Sequence, residues 1–554
     1  MSDFETRIYE ATREAVRAVW DIEAEEGLYV VETPQNPDFG DYSTNVAMKL
    51  SRTLRRSPMD IAAPIAEKLA ALLPEAESVT VARPGFINFK LRADALSGLI
   101  DKVIEAGENY GRNESGKGRR VLVEWVSANP TGRLHCGHAR NAAWGDCICR
   151  LMEFSGYDVL REYYVNDAGN QIVMLGRSLS ARYFEYFGRG ADCPMPEDGY
   201  HAEDIRAIAA EIAAKDGDRW LKADERERMD YFMRVGKELE LKRIEEDLLF
   251  YRVRIDSWMH ETFFYENDRA RINACLRRME EMGLLYEQDG ALWFRSSDYG
   301  DDKDRVLRKS DGTLSYLTPD IANHVYKVER GYPMLVDLWG ADHHSYITRM
   351  QAALTALGYP EGTLAVDLIQ MVRMVEDGKE VKMSKRTGNA LSLRELCEDI
   401  SVDAARWFFV SKDVATHMDL DLKLARSRDN DNPVYYAQYA HARMNSILTN
   451  PKIARFEKTG RYDRLTDERE LQLLKKIGEF PAEVAADAAM RKPNRMTDYI
   501  ISLVKTFHAY YNAVKVNNPD DAELTNQRLG LVTATMITLR NALALIGVSA
   551  PESM

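Results

Sequence analysis

The stretch RVLVEWVSANPTGRLHCGHARNAAWG, residues 120–145, decides the fold. Arg120 to Trp125 is a near-continuous apolar run, the pattern of a strand buried on both faces of a parallel sheet. A polar loop, Asn129-Pro130-Thr131-Gly132, follows it, and then a helix from about 138 to 155 that Gly156-Tyr157 ends. Asp158 to Tyr164 reads as the next strand. This strand–loop–helix–strand order opens a doubly wound nucleotide fold, whose ligands sit at the carboxyl ends of the strands beside a helix N-terminus. His135 and His138 fall there, three residues apart. A histidine donor aimed at phosphate stabilises charge developing in a transition state. Gly137 has no Cβ, so a nucleotide can pack against its backbone. The plainer reading, two surface histidines at a turn, loses ground because strand, loop and helix are all in place.

A second element, Lys382-Met383-Ser384-Lys385-Arg386, lies about 250 positions on, between Glu376-Asp377-Gly378-Lys379 and Thr387-Gly388-Asn389. Glycines on both sides fit a loop that closes, and two ammonium groups three residues apart can clamp departing phosphates. Lysine suits this as a point charge on a flexible stem. A solvated basic loop is the ordinary fate of such a run. With the first element, however, the pair implies one ATP site, at which a substrate carboxylate attacks the α-phosphate without a protein nucleophile.

At 554 residues the chain is too long for one core, and 45% hydrophobic with 29% charged residues is a globular balance. It contains no apolar run of membrane-spanning length, and its N-terminal amphipathic segment carries four acids and reads as neither a secretion signal nor a transit peptide. Six scattered cysteines form no C-x-x-C pair, which argues against a zinc knuckle or disulfide framework and for a cytoplasmic location. The net charge is −14, but residues 421–515 hold 17 Lys and Arg against 12 Asp and Glu, a basic module on an acidic body compatible with RNA binding.

Amphipathic helices at about 4–24 and 59–72, a turn at Pro34 to Asp41, and a hairpin of Val79–Ala82 with Gly85–Lys90 mark a small N-terminal α+β domain. Residues 200–290 read as a charged helical insertion. The parallel sheet is expected to resume near Ala291 to Phe294 and again at Met334 to Trp339. From about 400 onward the pattern is helical. The expected fold is α/β: a doubly wound parallel-sheet catalytic domain over 111–400, an N-terminal domain over 1–110, and an all-α helical bundle over 401–554.

These motifs resemble the two signatures of class I aminoacyl-tRNA synthetases, and within that class the arginyl-tRNA synthetases, over nearly the whole chain. The resemblance rests on Ser127 to Gly132 leading into His135, Tyr163-Tyr164-Val165-Asn166-Asp167-Ala168-Gly169, Ser310-Asp311-Gly312-Thr313, Tyr316 to Ala322, Trp339 to His344 and the ending Gly547 to Met554. Asn36-Pro37 and Gly40 to Asn45 resemble the family's extra tRNA-contacting domain, and Ser401 to Arg406 its entry to a helical anticodon-binding domain. Cys136 stands where isoleucine is commonest and Arg386 replaces a final serine; neither removes a phosphate-facing group.

The resemblance implies an ATP-dependent ligase that forms arginyl-adenylate and passes the arginyl group to tRNA(Arg), giving AMP and diphosphate. It implies Mg²⁺ with the nucleotide, no resident metal, a monomer, and tRNA bound before arginine is activated. His135, Gly137, His138, Lys382, Met383, Ser384 and Lys385 would bind ATP, with His135, His138, Lys382 and Lys385 catalytic. Glu124, Ser127, Asn129 and His135 would hold the α-amino and carboxylate ends of arginine. Tyr316 and Asp320 would read the guanidinium, whose fixed charge and five donors require carboxylates and in-plane acceptors. One further pocket residue is expected near 341–344. The blander alternatives stay open: Asp320 as a cap of a helix starting near Ile321, and Tyr316 as core. A metal reading of His343-His344 lacks a third ligand. Tyr435, Tyr436, Tyr439, His441, Arg443, Phe507, Tyr510 and Tyr511 could stack anticodon bases, although most aromatics at helical spacing are core. Three competing readings are weaker. A cysteinyl enzyme would show zinc-ligand cysteines, a small-molecule nucleotidyltransferase would not need the helical tail, and a non-catalytic RNA-binding paralogue should have lost His135, His138 or Lys385.

Overall fold

The run Val121-Leu122-Val123 is fully buried and forms the middle strand, β1 (Arg120–Glu124), of a five-stranded parallel sheet. The computed structural model describes residues 3–25, 27–34, 36–92, 98–381 and 391–554. The sheet continues with β2 (Asp158–Val165), β3 (Ser257–His260), β4 (Met334–Gly340) and β5 (Leu364–Ile369), in the spatial order β5-β4-β1-β2-β3. Register is regular: Val121 lies opposite Val159 of β2 and Met334 of β4. The order reverses between β1 and β4, and a doubly wound sheet opens its ligand crevice at such a switch point.

Helix α1 (Cys136–Phe154) follows β1 and is buried on nearly every side. Its small residues, Ala139, Ala142, Ala143 and Gly145, let neighbours approach closely, and Trp125 packs against Gly145. An apolar surface all round marks a helix sunk in the core. It lies between the sheet and the helices of the C-terminal bundle, Val402–Val410, Glu468–Met490, Pro493–Ala513 and Ala522–Leu545. Arg406 of that bundle, with no exposed surface, ties the parts together. Its guanidinium donates to Asp146 Oδ2 on α1 at 2.5 Å, to the Tyr251 carbonyl at 2.9 Å and to the Ile546 carbonyl at 3.0 Å. Gly547, at φ 67°, has to be glycine there, because a Cβ would overlap the Arg406 guanidinium.

The N-terminal part has helices Asp3–Trp20, Val46–Leu54 and Pro58–Leu72 against a four-stranded antiparallel sheet. Its hairpin pairs Ala76–Ala82 with Phe86–Leu91, close to expectation. Two expectations for the middle of the chain fail. Ala291–Phe294 is a strand, but of a separate three-stranded antiparallel sheet with Leu285–Gln288 and Arg305–Arg308. Asp289-Gly290, both at positive φ, closes a two-residue hairpin, which forces antiparallel pairing. The second crossover instead leads to β3, within the stretch read as a helical insertion. Helices Asn170–Tyr186, Glu203–Asp216 and Glu225–Phe250 form that insertion's own core. Past residue 401, one strand among the described residues, Met418–Asp421, interrupts the helices and pairs with Val372–Glu376.

Candidate active site

The site grows from the turn that joins β1 to α1. Val126 and Ser127 both have positive φ, 65° and 41°, a costly conformation for a β-branched residue. Cross-links hold it: the Val126 N–H donates to Asn141 Oδ1 at 2.8 Å, and Asn141 donates onward to the Leu338 carbonyl of β4. Ser127 Oγ donates to Glu124 at 3.1 Å and accepts from the Tyr164 N–H of β2 at 3.0 Å. The strained turn therefore fixes the ends of three adjacent strands.

His135 is the N-cap of α1. Its Nδ1 accepts from the Gly137 N–H at 3.0 Å, and His138 Nδ1 accepts from the His135 N–H at 3.3 Å, a reciprocal capping box. The rings lie 3.8 Å apart. Burial lowers the pKa of His135; burial and then its neighbour push His138 down to about 3. Both rings are thus neutral, with Nδ1 accepting, so the proton sits on Nε2 of each. Two N–H donors result, at the positive end of a helix. Gly137 is required by this cap: an added Cβ would lie 2.7 Å from His135 Cε1.

Beneath Glu124 lies a buried charge cluster. Its Oε2 is 2.6 Å from Lys327 Nζ, which has no exposed surface and is also 3.2 Å from Asp337 Oδ1. Lys327 and Asp337 belong to helix α2 (Leu317–Glu329) and β4. His324 of α2 places one ring nitrogen 2.8 Å from Asp337 and the other 2.7 Å from the Asp320 carbonyl. Burial raises the pKa of Glu124 against the pull of Lys327.

Asp320 sits in the first turn of α2, and Tyr346 donates to its Oδ2 at 2.5 Å. Glu261, directly after β3, faces the same space and accepts from Tyr265 at 3.3 Å. Burial, and then the nearby Asp320 charge, push Glu261 up to about 7, and burial likewise raises Asp320. The buried Tyr164 hydroxyl hydrogen-bonds to none of the described residues and lies in the field of Glu261, Asp320 and Glu124. Two dehydrated carboxylates raise one another's pKa, and a planar cation between them relieves both.

The structure brings Glu124, Ser127, His135 and His138 together at the carboxyl end of the sheet. Asn129 is half-buried and makes no side-chain hydrogen bond to the described residues. Helix α2 begins at Leu317, not near Ile321, so Asp320 is inside the helix rather than its cap. Tyr316 precedes the helix and is 89% exposed, so it is not core. Tyr346, just past the 341–344 window, holds Asp320 instead. Glu261, Tyr164 and Lys327 escaped sequence reasoning; only Tyr164 carried a signal, at the end of an expected strand. Lys382, Met383, Ser384 and Lys385 lie outside the described residues. Among the described residues no metal-binding cluster of His, Cys, Asp and Glu occurs, and no helix is long and apolar enough to cross a membrane.

A parallel sheet reversed at its centre, with a capped histidine pair at the switch point, is a nucleotide-binding α/β arrangement, and the match to a family model places it among the class I aminoacyl-tRNA synthetases. The catalytic-domain family model of tRNA synthetases class I (R) matches residues 100–445, the arginyl-tRNA synthetase N-terminal domain matches 3–91, and the DALR anticodon binding domain matches 437–554. Curated arginine–tRNA ligases of Bacillus licheniformis and Bacillus subtilis are each 50% identical over 527 residues, 95% of this chain and 94% of theirs. The arginyl-tRNA synthetase structure of Thermus thermophilus shares the fold, with a TM-score of 0.76 at 23% identity over 99% of this chain and all of that one. The chain belongs to the arginyl-tRNA synthetase family.

Proposed function

We propose that the described pocket and the second motif carry out the two steps of arginine–tRNA ligation as follows. The carboxylate of L-arginine attacks the α-phosphate of ATP, giving arginyl-adenylate and diphosphate. A terminal ribose hydroxyl of tRNA(Arg) then takes the arginyl group and AMP leaves. The nucleophile is the substrate's own, so the protein supplies positioning and charge stabilisation. ATP enters as its Mg²⁺ complex, and the metal travels with the substrate.

One observation carries this reading: the neutral, Nε2-protonated pair His135 and His138 shares the carboxyl end of one sheet with an acidic, phenol-lined pocket. The histidines donate to the nucleotide phosphates. Gly137 leaves room for the nucleotide, and Lys382 to Lys385 neutralise the departing diphosphate. Glu124, Ser127 and Asn129 hold the amino and carboxylate ends of arginine. Asp320 and Glu261, with the phenols of Tyr346 and Tyr164, read the guanidinium. Tyr316, exposed one turn before Asp320, folds over the bound side chain. Residues 1–110 contact the tRNA body, 111–400 hold the chemistry, and the bundle from 401 reads the anticodon. The chain acts as a cytoplasmic monomer.

The test is ATP–pyrophosphate exchange with each of the twenty amino acids, with and without total tRNA. Exchange with arginine alone, and only with tRNA present, supports the assignment. Exchange with another amino acid overturns the pocket, and none under any condition overturns the activity.

A further inference from the structure

Helix α3 (Glu225–Phe250), part of the insertion rather than the sheet, carries the fully buried carboxylate of Asp247. Asp247 Oδ1 lies 3.4 Å from Arg133 Nη2 and 3.1 Å from Arg394 Nη2, and Arg394 Nε donates to it at 3.1 Å. Arg133 is two residues before His135. Arg394 lies on the segment that follows the second motif. Those two segments also meet through backbone: the Cys136 N–H donates to the Leu391 carbonyl and the Leu393 N–H to the Leu134 carbonyl, each at 2.9 Å, with His135 opposite Ser392. Arg133 is anchored to the insertion a second time, its N–H donating to Asp204 Oδ2 at 3.1 Å. Among the described residues, no carboxylate other than Asp247 ion-pairs with either guanidinium.

We propose that Asp247 is a positioning residue for arginine activation: through Arg133 and Arg394 it holds the loop carrying His135 in register with the segment trailing the second motif. Without the carboxylate, the two half-buried guanidinium groups lose the ion-pair partner they share and repel across a bridge of two backbone hydrogen bonds, with only the more distant carboxyl groups of Glu240 and Glu395, among the described residues, acting on Arg133. With it, the repulsion becomes a three-member attraction, and aspartate is short enough to sit between them. Phe250, on the same helix, stacks under Arg394 at 4.3 Å and fixes the direction from which that arginine arrives. Asp247 touches no reacting atom. Its effect falls on the geometry of groups that do, where small displacements cost large factors in rate.

This inference rests on the activation chemistry proposed above, and exchange by the wild-type chain tests that chemistry separately. Asp247→Asn keeps shape and removes charge. In tRNA-supported ATP–pyrophosphate exchange by the full chain, kcat should fall about ten- to hundredfold while KM for arginine stays within about twofold. Arg394→Gln should lower kcat in the same way. Because removing one arginine also relieves the repulsion, the double variant should be faster than Asp247→Asn alone. A wild-type kcat in folded Asp247→Asn, or losses that multiply in the double variant, overturns the proposal. Should Asp247→Asn fail to fold, Arg394→Gln decides alone: an unchanged kcat, or a change confined to KM for arginine, overturns it.

Discussion

Replacing Asp320 with asparagine should weaken arginine recognition and leave ATP handling intact. Tyr346 can still donate to the side-chain oxygen that now lies 2.5 Å away, so the helix end keeps its partner. What the substitution removes is the charge that a guanidinium would meet. A hydrogen bond to a charged group contributes about 1.5–3 kcal/mol, and about 1.4 kcal/mol is tenfold, so kcat/KM for arginine should drop about ten- to 150-fold. Glu261 remains in place, which keeps the loss from being larger. The assay is tRNA-supported exchange with arginine and ATP varied independently, together with citrulline, whose neutral ureido group has the shape of a guanidinium. KM for ATP should hold within about twofold, and discrimination between arginine and citrulline should narrow. An unchanged kcat/KM for arginine in a folded variant, or a parallel rise in KM for ATP, would refute the pocket as drawn.

Arginine KM should fall as pH rises through about 7, because Glu261, pushed up to about 7 by burial and Asp320, meets the guanidinium as a carboxylate. Its raised folded-state value also means that this group lowers stability as pH climbs from the unfolded carboxylate range to about 7. Kinetics between pH 5.5 and 8.5 check the first point: the slope should vanish in Glu261→Gln, and a slope that persists there assigns it elsewhere. Gly137→Ala drives a Cβ to 2.7 Å of His135 Cε1 and should break the cap. Stability should fall by about 1 kcal/mol in a urea melt and exchange kcat by about tenfold or more, whereas an unchanged kcat would detach the cap from catalysis. Arg406→Met leaves the buried Asp146 with Arg150 alone and takes the donor from the Tyr251 and Ile546 carbonyls, and should cost about 2–4 kcal/mol, read from the urea midpoint.

The segment 120–165 was legible because its signals agree: an apolar run, a polar loop, a small-residue helix and another strand. The opposite happened at Ser257–His260. Its four residues, Ser-Trp-Met-His, are half-buried and half polar, so no run or alternation marks them. Glu261 was invisible with them, since it matters only as the residue that leaves a parallel strand. Ala291–Phe294 shows the converse: apolar and β-prone, it marks a strand but not which sheet, and only the Asp289-Gly290 turn decides that. The Lys327–Asp337 pair lies ten positions apart on a helix and a strand. Nothing local indicates that these two charges meet under Glu124. His135 and His138 were found from their motif, but their neutrality and tautomer come from the cap, a three-dimensional fact.

The Arg406 clamp has a consequence for how the molecule is made. Three stretches far apart in sequence supply its acceptors, and the latest of them, at Ile546, is synthesised well after the first two, at Asp146 and Tyr251. The helix that begins with His135 and His138 is synthesised some four hundred residues earlier. Until the tail arrives, Arg406 has nothing to satisfy one edge of its guanidinium and Gly547 has no groove to fill. The histidine-bearing helix therefore reaches its final packing only after the stretch around Ile546 has been made, so its assembly waits on a distant part of the helical bundle.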